Sequence, residues 1–237
     1  AADCGQHGAV TQSWGTPVFE DTLAPHISEA LRPELVNAAR ELQAAQPTGT
    51  RKSNVGGWQS KPISLEPGSN TALAKLADHI LEAAKWYVSD GLGDDMRRQR
   101  ALVTGEYQLD IASIWVNVNR PRDYNNAHVH TDSFISGVFY VEVGPQPSDQ
   151  GDHGSVLVLS DPRVQLQQFE YFDWYGMGVQ RRIHPAPGKL VMFPSWLMHR
   201  VDPVPGPEDG ISGSPSTDSD ARISVSFNLV FKPTEAK

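Results

Sequence analysis

Two periods organise this chain. From Ser28 to Gln43 the apolar residues Leu31, Leu35, Ala38 and Leu42 recur at helical spacing, with Pro33 tolerable only in a first turn. A second stripe, Leu73, Leu76, Ile80, Ala84 and Tyr87, predicts a helix within "TALAKLADHILEAAKWYVSDGL". Before the first helix, residues 14–24 read as a short β segment. Between the helices, the stretch 49–70, with its "SNVGGWQS", reads as a structured loop. After residue 105 or so the period falls to two. Strands are expected near 107–119, 134–143, 155–160, 189–194 and 222–231, with more around 168–184. Residues 203–221 form a low-complexity acidic loop. The prediction is mainly β with flanking helices: two helices on a barrel, one domain over 1–237, with the helical part at 25–100 and the barrel core at 105–233.

Alternation assigns the strand faces. In "RISVSFNLVF" the odd positions Ile223, Val225, Phe227, Leu229 and Phe231 are apolar, and the even ones are Arg222, Ser224, Ser226 and Asn228. In "IASIWVNVN" the even positions Ala112, Ile114, Val116 and Val118 are apolar, opposite Trp115, Asn117 and Asn119. A solvated face favours Lys, Glu and Thr. Asn, Ser, Trp and a single Arg suit a lined cavity better.

Composition narrows the class. A hydrophobic share of 39% describes a globular chain with an ample core. A formal charge of -8, without a basic run, disfavours nucleic acid or an anionic membrane as partner. No apolar stretch reaches the ~18 residues needed to span a bilayer. One cysteine, Cys4, excludes an internal disulfide framework, and the N-terminus lacks the pattern of a signal peptide, so a cytoplasmic protein is expected.

The candidate chemistry sits in "NNAHVHTDSFISGVFYVEV", where His128, His130 and Asp132 occupy alternate positions just before a β-patterned run. Read as one strand, they share a face. His130 and Asp132 form an H-x-D pair, a ligand set suited to Fe(II), Mn(II) or Zn(II). A facial triad needs another imidazole from His153, His184 or His199. His199 is best placed, since it follows the apolar strand Leu190–Phe193. His153 and His184 lie in Gly/Pro-rich surroundings that suit loops. His128 reads as a hydrogen-bonded neighbour of the site or an alternative ligand. Arg222 completes the set: a guanidinium inside a barrel can grip a carboxylate, and Ser224 faces the same way. Iron with three protein ligands keeps positions open for a 2-oxo acid and dioxygen.

The order H-x-D, distal His, then R-x-S resembles the Fe(II)/2-oxoglutarate-dependent oxygenases. More narrowly, "HVHTDSFISGVFYVEV", "HPAPGKLVMFPSWLMHRVDPV" and "RISVSFNLVF" resemble a bacterial and phage group related in fold to prolyl 4-hydroxylases. That resemblance implies a double-stranded β-helix with iron on His130, Asp132 and His199. It implies 2-oxoglutarate on Arg222 and Ser224, with Asn117 or Tyr140 reaching the co-substrate. The implied reaction couples decarboxylation of 2-oxoglutarate to succinate with hydroxylation of a C–H bond in a small molecule or peptide. The interval of 23 residues from His199 to Arg222 is long for the family, and the acidic loop accounts for it. The aromatic run at 169–176 suits a lid or a substrate wall.

Two other readings stay open on sequence alone. In a cupin, His128 and His130 would supply an H-x-H, and "GKLVMFPSWLMH" fits the second motif except that Trp196 stands where Gly is wanted. In a ligand-binding β-sandwich the histidines would be structural.

Overall fold

A computed structural model describes residues 15–66, 68–69, 71–91, 105–144, 155–163, 179–206 and 221–234. Among the described residues, eleven strands and two helices follow one another as β1 (Phe19–Thr22), α1 (Pro25–Ala45), β2 (Asn54–Val55), β3 (Trp58–Gln59), α2 (Ala72–Gly91), β4 (Tyr107–Asn119), β5 (Tyr124–His128), β6 (Ile135–Val143), β7 (Leu157–Ser160), β8 (Gln180–Ile183), β9 (Lys189–Pro194), β10 (His199–Val201) and β11 (Arg222–Pro233). They form a major antiparallel sheet, β1-β9-β6-β11-β4-β3, and a minor one, β2-β5-β10-β7-β8.

The helices cover one face of the major sheet. Leu31, Leu35 and Ala39 of α1, and Leu76, Ile80, Ala84 and Tyr87 of α2, pack against Ile114, Val116, Phe139, Met192, Val225, Phe227 and Leu229. The α2 stripe and the β4 and β11 faces are those that periodicity picks out, whereas in α1 Ala39 is buried and the expected Ala38 and Leu42 are only partly so. The opposite face of the major sheet meets the minor sheet, where Tyr140, Val191 and Phe193 touch Leu157, Leu159 and Ile183. Two apolar layers therefore hold three structural layers together.

Three local features depart from the expected pattern. Pro33 lies well inside α1 rather than in its first turn. It is exposed, so the carbonyl it leaves unpaired faces water. Pro25 occupies the first turn instead. Ala112, assigned to the apolar face, is exposed on the cavity side. A bulge explains it: Asn228 pairs with Ser113 but Leu229 with Ile111, so Ala112 is the extra residue. The loop 49–70 holds the two short strands β2 and β3, one on each sheet. The aromatic run 169–176, His153 and most of the acidic loop lie outside the described residues.

Candidate metal centre and co-substrate pocket

One cavity of about 900 Å³ opens between the two sheets. Its wall includes the inward faces of β4 and β11, as alternation requires: Trp115, Asn117 and Asn119 from one, Arg222, Ser224, Ser226 and Asn228 from the other.

At its mouth three histidines converge. The ligand atoms of His128, His130 and His199 all lie within 4.8 Å of one another. Sheet register explains the first contact: His199, opening β10, is the direct partner of His128, closing β5. Their ring centroids are 4.2 Å apart. His130 arrives differently. The chain leaves the sheet after His128, and the His130 N–H donates to the Ser195 carbonyl at 2.9 Å, in the turn between β9 and β10. Its ring stacks on His199 at 5.2 Å. The strand expected through His128, His130 and Asp132 ends at the first of them, although all three residues line the cavity. Asp132 is exposed on the cavity lining and is not in the imidazole cluster. His184 is exposed in the connection after β8.

Hydrogen bonds orient the rings. His128 Nδ1–H donates to the Asn126 carbonyl at 2.7 Å, and His199 Nδ1–H to the Leu197 carbonyl at 2.8 Å. A carbonyl only accepts, so each of these Nε2 atoms carries a lone pair rather than a proton. His130 Nδ1 lies 3.4 Å from the Asn228 side-chain amide, which also bonds Ser113 at 3.1 Å and Ser136 at 2.8 Å. Sequence parity placed Asn228 on the cavity face, but its contact with His130 depends on where the chain turns after β5. Burial pushes the imidazoles down, to about 4 at His130 and about 3 at His199, and lowers His128 also. Neutral imidazoles are the form that binds a metal. The donor set fits a borderline divalent ion such as Fe(II).

Deeper in the cavity stands Arg222, 2% exposed. One guanidinium nitrogen donates to the Ser155 carbonyl at 3.2 Å, while its Nε has no hydrogen-bond partner among the described residues. Burial pulls its pKa down, opposed by Tyr140 and Asp123. Ser224 and Tyr140, both buried, line the same cavity, and burial pushes the Tyr140 phenol up to about 12. Asn117 lines the wall too, its amide donating to Ser226 Oγ at 2.9 Å. Asn119 Oδ1 and Ser155 Oγ are buried without partners as well. A buried cation whose Nε is unpartnered, beside the unpartnered Ser155 hydroxyl, makes a site shaped for an anion that brings acceptors.

Comparison with known proteins agrees with this geometry. Residues 113–228 match the model of the family described as "Putative 2OG-Fe(II) oxygenase". That span takes in all three histidines, Arg222, Ser224 and, as its last residue, Asn228. No curated protein matches the sequence. Among solved structures, a prolyl-4-hydroxylase from Pseudomonas putida superposes with a TM-score of 0.55 at 18% identity, covering 90% of this chain and 92% of its own. A prolyl hydroxylase from Trichoplax adhaerens, solved with a hypoxia inducible factor peptide, gives 0.55 at 11% identity, covering 90% of this chain and 83% of its own. At such identities the likeness is one of fold, the double-stranded β-helix. Sheet architecture, the arrangement of the cavity and the match over residues 113–228 point the same way: this part of the chain is similar to the 2-oxoglutarate- and Fe(II)-dependent oxygenases.

Proposed function

We propose that Fe(II) is held by His128, His130 and His199, and that 2-oxoglutarate is anchored at its distal carboxylate by Arg222 with Ser224, Tyr140 and Asn117 around it. The observation that carries this reading is the pairing, in one cavity, of three mutually close neutral imidazoles with a buried guanidinium whose Nε lacks a partner. An isolated buried cation is costly, and a bound dicarboxylate offsets that cost. The bound metal supplies oxidative chemistry, the decarboxylation of 2-oxoglutarate coupled to hydroxylation of a C–H bond. The chain's own residues do the rest: Arg222 fixes the co-substrate's far end, Asn126 and Leu197 fix two imidazole tautomers, and the walls limit water.

In this reading Asp132, expected as a ligand, is a group at the cavity mouth. The cavity wall is built of Asn, Ser and Trp, and a small polar molecule or a peptide side chain suits it better than a lipid. The single cysteine supports a reducing, cytoplasmic setting, and the helices and barrel form one domain. Among the described residues no helix is long and apolar enough to cross a membrane.

The test is an anaerobic Fe(II) titration with and without 2-oxoglutarate, watching for a weak visible charge-transfer band. A band that needs both ligands and disappears in His199→Ala supports the reading. Iron binding without a band would favour a cupin-type site instead.

A further inference from the structure

The "SNVGGWQS" segment has a place in the fold that bears on the metal centre. Its strand β2 pairs with β5 of the minor sheet, and β3 pairs with β4 of the major sheet. The segment thus clasps both sheets along one side of the cavity. Two glycines let it seat. Gly56 has φ +80°, and a Cβ there would sit 2.0 Å from Asp123 Oδ1, while one on Gly57 would sit 2.4 Å from Asn119 Nδ2. Thr50, Lys52, Ser53 and Gln59 of this clasp line the cavity.

Ser53 is the residue that matters. Its carbonyl accepts the Asn126 N–H at 2.9 Å, and its Oγ accepts a hydrogen bond from Asn125 Nδ2 at 3.1 Å. Fastened at both points, the hydroxyl lies 3.3 Å from His128 Nε2. That nitrogen faces the cluster, because Nδ1 is committed to the Asn126 carbonyl. In the metal-free protein the Ser53 proton therefore donates to the Nε2 lone pair. Once that lone pair is given to a metal ion, the hydroxyl must find another acceptor, and Asn125 still holds its oxygen beside the metal.

We infer that Ser53 is a binding residue of the metal centre: with a metal held by the three histidines, its hydroxyl would donate to an anionic group bound there. This rests on the three-histidine reading above, which leaves the ion without a protein carboxylate and so favours an external anion. The clasp then contributes to the site as well as joining the sheets.

The experiment uses the full chain loaded with Co(II), whose visible spectrum reports the ligand set, and azide and 2-oxoglutarate as anionic probes. Ser53→Ala should bind Co(II) within about twofold of wild type and show the same spectrum without added anion. Its azide affinity should fall about tenfold or more, as expected on deleting a hydrogen bond to a charged group. Ser53→Thr, which keeps the hydroxyl, should restore most of it. Unchanged azide and 2-oxoglutarate affinity in Ser53→Ala would overturn the inference. So would an equal loss of Co(II) affinity itself, which would make Ser53 a prop for His128 and nothing more. Failure of the wild type to bind Co(II) would be a different result, removing the three-histidine reading first and this inference with it.

Discussion

Single side chains carry the sharpest expectations. If the imidazole cluster is the metal centre, His128→Ala should lose Fe(II) affinity by several orders of magnitude, while Asp132→Ala keeps it near wild type. Isothermal titration of both variants decides between the two ligand sets, and the reverse ranking would restore the carboxylate. Arg222 offers a trade between stability and binding. Replacing a buried, half-satisfied cation with Met should leave the fold as stable or raise it by about 1–4 kcal/mol, while 2-oxoglutarate affinity falls at least a hundredfold. Thermal melts with and without the co-substrate read both quantities. The imidazoles also give a pH dependence. Their folded values, about 4 at His130 and about 3 at His199, lie below the ordinary imidazole range. The unfolded chain thus binds more protons as pH falls through ~6.5, and the metal-free fold should lose stability from there down toward those values. A melting temperature that is level from pH 7.5 to 5 would contradict the burial of these rings.

At the scale of elements, what sequence could reveal depended on length. Both helices and the long strands β4, β6 and β11 repeat their pattern often enough for period and face to be read. The alternation of Arg222, Ser224, Ser226 and Asn228 against Ile223, Val225, Phe227 and Leu229 holds through the whole cavity wall. β2 and β3 have two residues each and β10 three, too few for any period to register. The strand expected to run on through His130 and Asp132 has the same origin: nothing local shows that β5 stops at His128, since it stops where the Ser195 carbonyl captures the His130 amide. His128 and His199 meet through sheet register, a tertiary fact. Gly137 is also explained only by tertiary packing. A Cβ on it would stand 2.3 Å from Phe227 Cζ and 2.6 Å from the Val191 carbonyl oxygen. Gly137→Ala should therefore destabilise by about 1–3 kcal/mol or more, despite the better strand propensity of the larger residue. Chemical denaturation measures it, and an unchanged midpoint would mean that Phe227 repacks freely.

Taken whole, the molecule separates support from chemistry. The helices, fixed by the Leu35 and Leu76 contacts and by the Arg32–Glu142 ion pair at 2.6 Å, brace one face of the major sheet, and the cavity occupies the other. Metal and co-substrate bind only the folded chain, so each should raise the unfolding temperature. At a ligand concentration of 100 times Kd the gain is about 2.7 kcal/mol. Fe(II) and 2-oxoglutarate together should stabilise more than the sum of each alone, because the metal favours the anion and the anion the metal. Strict additivity in calorimetry would mean that the two ligands sit apart.

β11 runs through the middle of the major sheet between β4 and β6, and it carries Arg222 near one end of the cavity and Asn228, the neighbour of His130, near the other. Its amides should exchange with deuterium only when the whole protein opens. The clasp at 50–60, attached through two-residue strands, should exchange far sooner. The distance between Arg222 and Asn228 should thus stay fixed while the wall bearing Ser53 opens more readily. In an exchange experiment the site would show a slow half and a fast half, and adding 2-oxoglutarate should slow only the second.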